Sequence, residues 1–157
     1  MSPVPIAPSV LARSHHLEGT AAARALRRLA GRFLCELGLD AVQVSLVVTS
    51  DRRIRTLNRR FRSKDQPTDV LSFPAAPVPR LPGRPRALGD VVISLDTARR
   101  RAREDGRPVA RELARYLAHG LLHLTGHDHH RQAQARRMAR AEARLLGSAG
   151  MLSEPER

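Results

Sequence analysis

His119-Gly120-Leu121-Leu122-His123-Leu124-Thr125-Gly126-His127-Asp128-His129-His130 carries five of the seven histidines of the 157-residue chain. On an α-helix, residues four apart stand about 40° from one another around the axis. His119 and His123 therefore project from one face, and their ring nitrogens can converge on one ion. Leu113, Tyr116, Leu117, Leu121, Leu122 and Leu124 make this helix apolar nearly all round, which predicts that it is buried. Buried imidazoles need partners, and a zinc ion supplies one to each ring. Gly126 lets the chain turn back so that a third histidine completes three protein ligands and leaves a fourth position open. That is the catalytic arrangement of zinc rather than the closed structural one. The competing reading, hydrogen-bonded core histidines followed by a polar loop, suits one lone His better than two at helical spacing. Spacing leaves the third ligand open among His127, His129 and His130.

Working outward, Gly106 and Pro108 bracket the start of this helix, with Pro108 in the first turn where its missing N–H does no harm. Asp96 is expected to cap a preceding helix that runs to about Asp105, and Val91, Val92 and Ile93 form a buried strand before it. Pro74 to Arg86, with five prolines, suits a surface connection. Thr68 to Phe73 is a short β-prone segment, and Asp51 opens a helix to about Arg59. Val42, Val44, Leu46 and Val48 alternate as one face of a strand. Thr20 is expected to cap a helix through Leu37, with Ala22, Leu26, Leu29, Phe33 and Leu37 at helical spacing and Gly38 as its stop. After His130 an arginine-rich helix reaches about Leu146. Residues 1–18 read as an irregular or weakly paired arm and residues 148–157 as a frayed tail. The size and this order suit a single domain over 1–157 of the α+β class.

The balance of charge is strongly basic: 28 Lys and Arg against 15 Asp and Glu, a formal +13. Such a field attracts polyanions, so RNA or DNA is the favoured partner class. Lys64 is the only lysine, and a GC-rich coding bias alone can produce that arginine skew. With aromatic residues at 3% and no Trp, the stacking platforms of single-strand binding modules are largely missing. Cys35 is the only cysteine, which rules out an intrachain disulfide, and it reads as a small core residue. No apolar run approaches the roughly 18 to 20 residues that span a bilayer, and the proline-rich opening does not suit a signal peptide. A cytoplasmic protein without a membrane partner is expected.

Three blocks carry a family resemblance. The first is His119-Gly-x-Leu-His123-Leu-x-Gly126-x-Asp128-His129. The second is Asn58, Phe61-Arg62, Lys64-Asp65 and Pro67-Thr68-Asp69-Val70-Leu71-Ser72-Phe73-Pro74. The third is Leu88-Gly89-Asp90-Val91-Val92-Ile93-Ser94. Together, over about residues 45–147, they resemble the YbeY family of bacterial rRNA maturation endoribonucleases. The resemblance implies a mixed, roughly four-stranded sheet packed with helices, with a zincin-like site at the end of a central helix. It implies one Zn2+ per chain on His119, His123 and His129, and a functional role for Arg62 near the metal. It further implies single-strand-specific cleavage in small-subunit rRNA processing and ribosome quality control, with rRNA precursor, small-subunit proteins and the GTPase Era as partners. Two departures stand out. His127 occupies a position where the family usually has Tyr, and His130 follows the third ligand directly. Pro3, Pro5 and Pro8 lie where a first strand is expected.

Zinc peptidases of the His-Glu-x-x-His type keep a general base beside their first ligand, and here that position is Gly120. A phosphodiester instead calls for Lewis acidity plus a guanidinium to meet the charge that grows on the attacked phosphate, the role assigned to Arg62. Asp128 reads either as an acceptor orienting an imidazole or as a turn residue, and Thr68, Asp69 and Ser72 as supports of the strand edge. The arginines from Arg131 to Arg144 read first as a solvated helix face. A reading from another class is a non-catalytic ribosome-assembly factor with structural zinc.

Overall fold

Val42, Val44, Leu46 and Val48 are fully buried, and the residues between them are partly so, which marks their strand as the centre of the sheet. A computed structural model describes residues 6–151 of the chain. In order these form β1 (Ser9–Ser14), α1 (Thr20–Glu36), β2 (Val42–Thr49), α2 (Asp51–Arg62), β3 (Val70–Pro74), β4 (Arg86–Ser94), α3 (Leu95–Asp105), α4 (Val109–Leu124) and α5 (Gln132–Ser148). The sheet runs β1-β2-β4-β3; β1 and β4 lie parallel to β2, and β3 is antiparallel to β4. The expectation of an α+β chain with a mixed four-stranded sheet is met. Pro3, Pro5 and residues 152–157 of the expected arm and tail lie outside the described residues.

One part of the expected irregular arm is instead a strand. Ser9–Ser14 pairs with β2 in continuous register from Ser9↔Gln43 to Ser14↔Val48. Pro8 stops just short of it, so its missing N–H removes nothing from the ladder. Val10 is buried in the core and Ala12 packs against it. The end of β1 is tied down by His16, whose Nε2 lies 2.8 Å from Asp96 Oδ1 while its Nδ1 accepts from the Glu18 amide at 3.0 Å.

Asp96 is therefore not the cap of α3. Ser94 is, its Oγ accepting from the Thr97 amide at 3.2 Å, and Asp96 uses its second oxygen to accept from the Asp51 amide at 2.9 Å. Asp51 in turn takes the hydroxyls of Ser94 and Thr97 at 2.6 Å each and Arg100 at 2.9 Å. Burial pushes the Asp51 pKa up, but these hydrogen bonds outweigh it and leave the carboxyl below its ordinary value. Gly19, rather than Thr20, stands at the cap position of α1. Cys35 is exposed and not a core residue, because α1 turns Ala23, Leu26, Ala30, Phe33 and Leu34 inward.

The two sides of the sheet differ. On one, α1 and α4 close the main core; on the other, α2 covers a small cluster of Ile54, Leu71 and Val92. Helix α4 meets β3, β4, α1, α3 and α5, which makes it the central helix of the fold. Helix α2 runs three residues beyond its expected end at Arg59, because Ser63 closes it in the left-handed conformation at φ 57°. Buried Asn58 donates to the Gln66 carbonyl at 2.8 Å and pins the following loop. Arg62 thus becomes the last residue of a capped helix. Among the described residues no helix is long and apolar enough to cross a membrane.

Candidate metal centre

Helix α4 approaches the sheet closely at Gly120. A Cβ there would stand 2.7 Å from Val91 Cγ1 and 3.2 Å from Ser72 Oγ, and the Ser72 hydroxyl donates to the Gly120 carbonyl at 3.1 Å. The glycine between the two helical histidines is thus a packing requirement. No glutamate fits at that position, so the general base of the His-Glu-x-x-His peptidases has no place here. The strand-edge role expected of Ser72 is met. Thr68 and Asp69 do the same for the loop: Asp69 accepts from the Val70 amide at 2.7 Å and from Arg101 at 2.8 Å.

His119 and His123 turn toward one another from this anchored turn, with Nε2 atoms 3.1 Å apart. After α4 the chain reverses at Gly126, whose φ of 95° favours glycine, and the His127 amide closes the turn on the Leu122 carbonyl at 3.0 Å. The reversal carries His129 back. One ligand atom from each of His119, His123 and His129 falls within 4.8 Å of the others. This is the set the resemblance implied. Neither His127 nor His130 joins it; His130 stands beside His129, with ring centroids 5.2 Å apart, and its Nε2 lies 3.3 Å from Asp128 Oδ1.

The outer nitrogen of the His119 ring is already engaged. His119 Nδ1 faces Glu142 Oε2 at 3.4 Å. A carboxylate accepts, so Nδ1 carries the proton and Nε2 the lone pair. At 3.1 Å the two Nε2 atoms are close enough to share one proton or, with both unprotonated, to hold one cation between them. Tetrahedral zinc with Zn–N near 2.05 Å sets its nitrogens about 3.3 Å apart. The donors present fit such an ion. Burial first, then the neighbouring His119 and His129 and the charge of Arg62, lower the His123 pKa, so it is neutral, the ligating form, at pH 7.

Glu142 was not singled out in the sequence. It is the one acid of α5, and it shares a face with buried Met138, Leu145 and Leu146. An acid on a buried face was the available signal. A carboxylate behind a ligating histidine fixes tautomer and ring orientation and raises ligand basicity. Glu142→Ala is expected to weaken metal binding about 10- to 100-fold, with Glu142→Gln recovering part through its carbonyl oxygen. Competition against a chromophoric chelator reads this directly, and parental affinity in the alanine variant removes Glu142 from the centre. Asp128, the residue expected either to orient an imidazole or to hold the turn, holds the turn and also lies 3.3 Å from the His130 ring, outside the cluster. Its Oδ1 accepts from the amides of His129 at 2.6 Å and His130 at 3.3 Å.

Arg62 is exposed at the end of α2, and its charge is felt at His123. A cleft of about 270 Å³ opens on the other side of His119, lined by Asp69, Arg101, Arg115, Tyr116 and Glu142. Its two arginines are occupied, Arg101 by Asp69 at 2.8 Å and Arg115 by Glu112 at 3.1 Å. Burial, with Glu112 nearby, pushes the Tyr116 hydroxyl up to about 12. The free positive charge of the centre therefore lies on the Arg62 side.

A family profile described as Endoribonuclease YbeY matches residues 13–150. A protein named Endoribonuclease YbeY from Anaeromyxobacter dehalogenans (strain 2CP-C) is 57% identical over 139 residues, 88% of this chain and 70% of that protein. One of the same name from Myxococcus xanthus (strain DK1622) is 55% identical over 139 residues, but these make up only 47% of its length. Among solved structures, the solution structure of TM1509 from Thermotoga maritima superposes with a TM-score of 0.58 at 24% identity, over 96% of this chain and 99% of that one. At that identity the likeness speaks to the fold alone.

Proposed function

The chain belongs to the endoribonuclease YbeY family, and from that premise we propose that it is a zinc-dependent hydrolase cutting phosphodiester bonds of single-stranded RNA at a centre of His119, His123 and His129. The observation that carries the reading is the convergence of three imidazoles, with the His119 and His123 Nε2 atoms 3.1 Å apart and the His119 ring held from behind by Glu142. Among the described residues no fourth His, Cys, Asp or Glu joins the cluster, and His129 is exposed. Three donors with an open solvent side suit catalysis better than a purely structural ion.

Zinc bound there would supply Lewis acidity and a bound water of lowered pKa. The chain's own residues do the rest. Glu142 holds the His119 ring from behind, and Ser72 holds the α4 turn against β3. Asp128 shapes the loop that returns His129. Arg62 offers a planar fork of donors to a non-bridging phosphate oxygen, where negative charge grows. The basic surplus of the chain draws RNA to this site.

The wider proposal is one domain acting in the cytoplasm on precursors of small-subunit rRNA and in ribosome quality control, alongside small-subunit proteins and Era, a role consistent with the family. The test is metal removal. Protein purified without chelator is expected to hold about one zinc per chain, to lose cleavage of an rRNA-derived RNA on chelation, and to regain it with added zinc. A metal-free preparation that refuses zinc overturns the proposal.

A further inference from the structure

Phe61 is one of three phenylalanines in a chain with one tyrosine and no tryptophan, yet it is 57% exposed. Its position is fixed all the same. The ring meets Phe73 edge-on, centroids 5.2 Å apart at 67°, and the Arg60 guanidinium lies 5.3 Å from its centroid. One support leads to the metal centre. Phe73 follows Ser72, whose hydroxyl holds the Gly120 carbonyl between the two helical ligands.

Strand β3 is an edge strand, and its alternation puts Val70 on the α4 side and Leu71 and Phe73 on the α2 side. The metal centre and the Phe61 ring therefore lie on the two faces of one edge strand, with Arg62 beside Phe61 at the end of α2. Neither Arg60 nor Arg62 has a carboxylate partner among the described residues. An exposed, braced aromatic ring beside guanidinium groups that have no carboxylate partner is a combination with which proteins hold unpaired nucleotides: base on ring, phosphates on arginine.

We propose that Phe61 is a stacking platform for an unpaired base next to the phosphate held at the metal centre, with Arg60 and Arg62 on the flanking phosphates. The inference rests on the nuclease reading and deepens it. A base inside a duplex has both faces covered by its neighbours and has none to offer Phe61. The preference for single strands then comes from one ring, even in a chain so poor in aromatics.

The test is equilibrium binding of short single-stranded RNA to the zinc-loaded protein, with one abasic site moved along the strand, and cleavage followed in parallel. In the parent, one abasic position is expected to weaken binding about tenfold, within the range of base–aromatic stacking. Phe61→Leu, which keeps an apolar group against Phe73, is expected to weaken intact RNA by the same factor and to show no further loss with the abasic strand. Phe61→Tyr restores the base dependence. Leu and parent proteins that bind intact and abasic RNA alike overturn the inference, and Phe61 then faces something other than the strand. Such a result alongside normal cleavage leaves the nuclease reading standing. Phe61-dependent binding without cleavage upholds the platform and overturns the nuclease reading.

Discussion

Replacing His123 with alanine is expected to strip the protein of zinc and to lower cleavage of an rRNA-derived RNA at least about a thousandfold, since Lewis-acid stabilisation is worth several kcal/mol. The size follows from the geometry. His123 supplies one of the two nitrogens 3.1 Å apart, and the three-donor cluster has no spare on the helix side. His119→Ala is expected to behave alike. His129→Ala is expected to lose less, because the His130 ring stands 5.2 Å away on the same loop and can swing in. Removing both loop histidines should then match the helical variants. Metal content by mass spectrometry and the far-UV spectrum separate loss of the ion from loss of the fold. Full zinc occupancy with parental cleavage in His123→Ala would sink the three-histidine centre.

The centre was legible in the sequence where its logic is local. Helical period alone places His119 and His123 on one face, and the apolar residues around them mark α4 as buried. Central strands β2 and β4 were legible for the same reason, since Val42–Val48 and Val91–Ile93 can only be interior. What escaped depends on partners distant along the chain. Ser9–Ser14 has one buried residue, Val10, and becomes a strand only because β2 lies open beside it. Asp96 looked like a cap, but His16 and the Asp51 amide claim its carboxylate, while Ser94, one residue before the helix, has the geometry to cap. Glu142 follows His119 by 23 positions on another helix, and no spacing rule connects them. The third ligand stood open among three histidines on spacing alone; the turn at Gly126 brings His129 in and leaves His127 and His130 out.

Arg62→Ala is expected to lower kcat for RNA about a hundred- to a thousandfold with zinc retained, the cost of losing one donor aimed at developing charge. Many arginines could serve on grounds of charge, and position sets Arg62 apart. Ser63, at φ 57°, ends α2 immediately after Arg62 and fixes where its backbone stops. From there its charge reaches His123, whereas Arg59, one turn earlier, lies 3.8 Å from Asp65 and 61% exposed. Arg59→Ala is therefore the control, with a change within about threefold, as for other exposed ion pairs. Arg62→Lys separates charge from shape. An ammonium keeps the attraction for phosphate but not the planar fork, so KM should recover more fully than kcat. Parental kcat in Arg62→Ala would mean that the charge on the phosphate is met by the metal alone. The arginine would then serve only to gather RNA, and its loss would appear in KM and fade as salt rises.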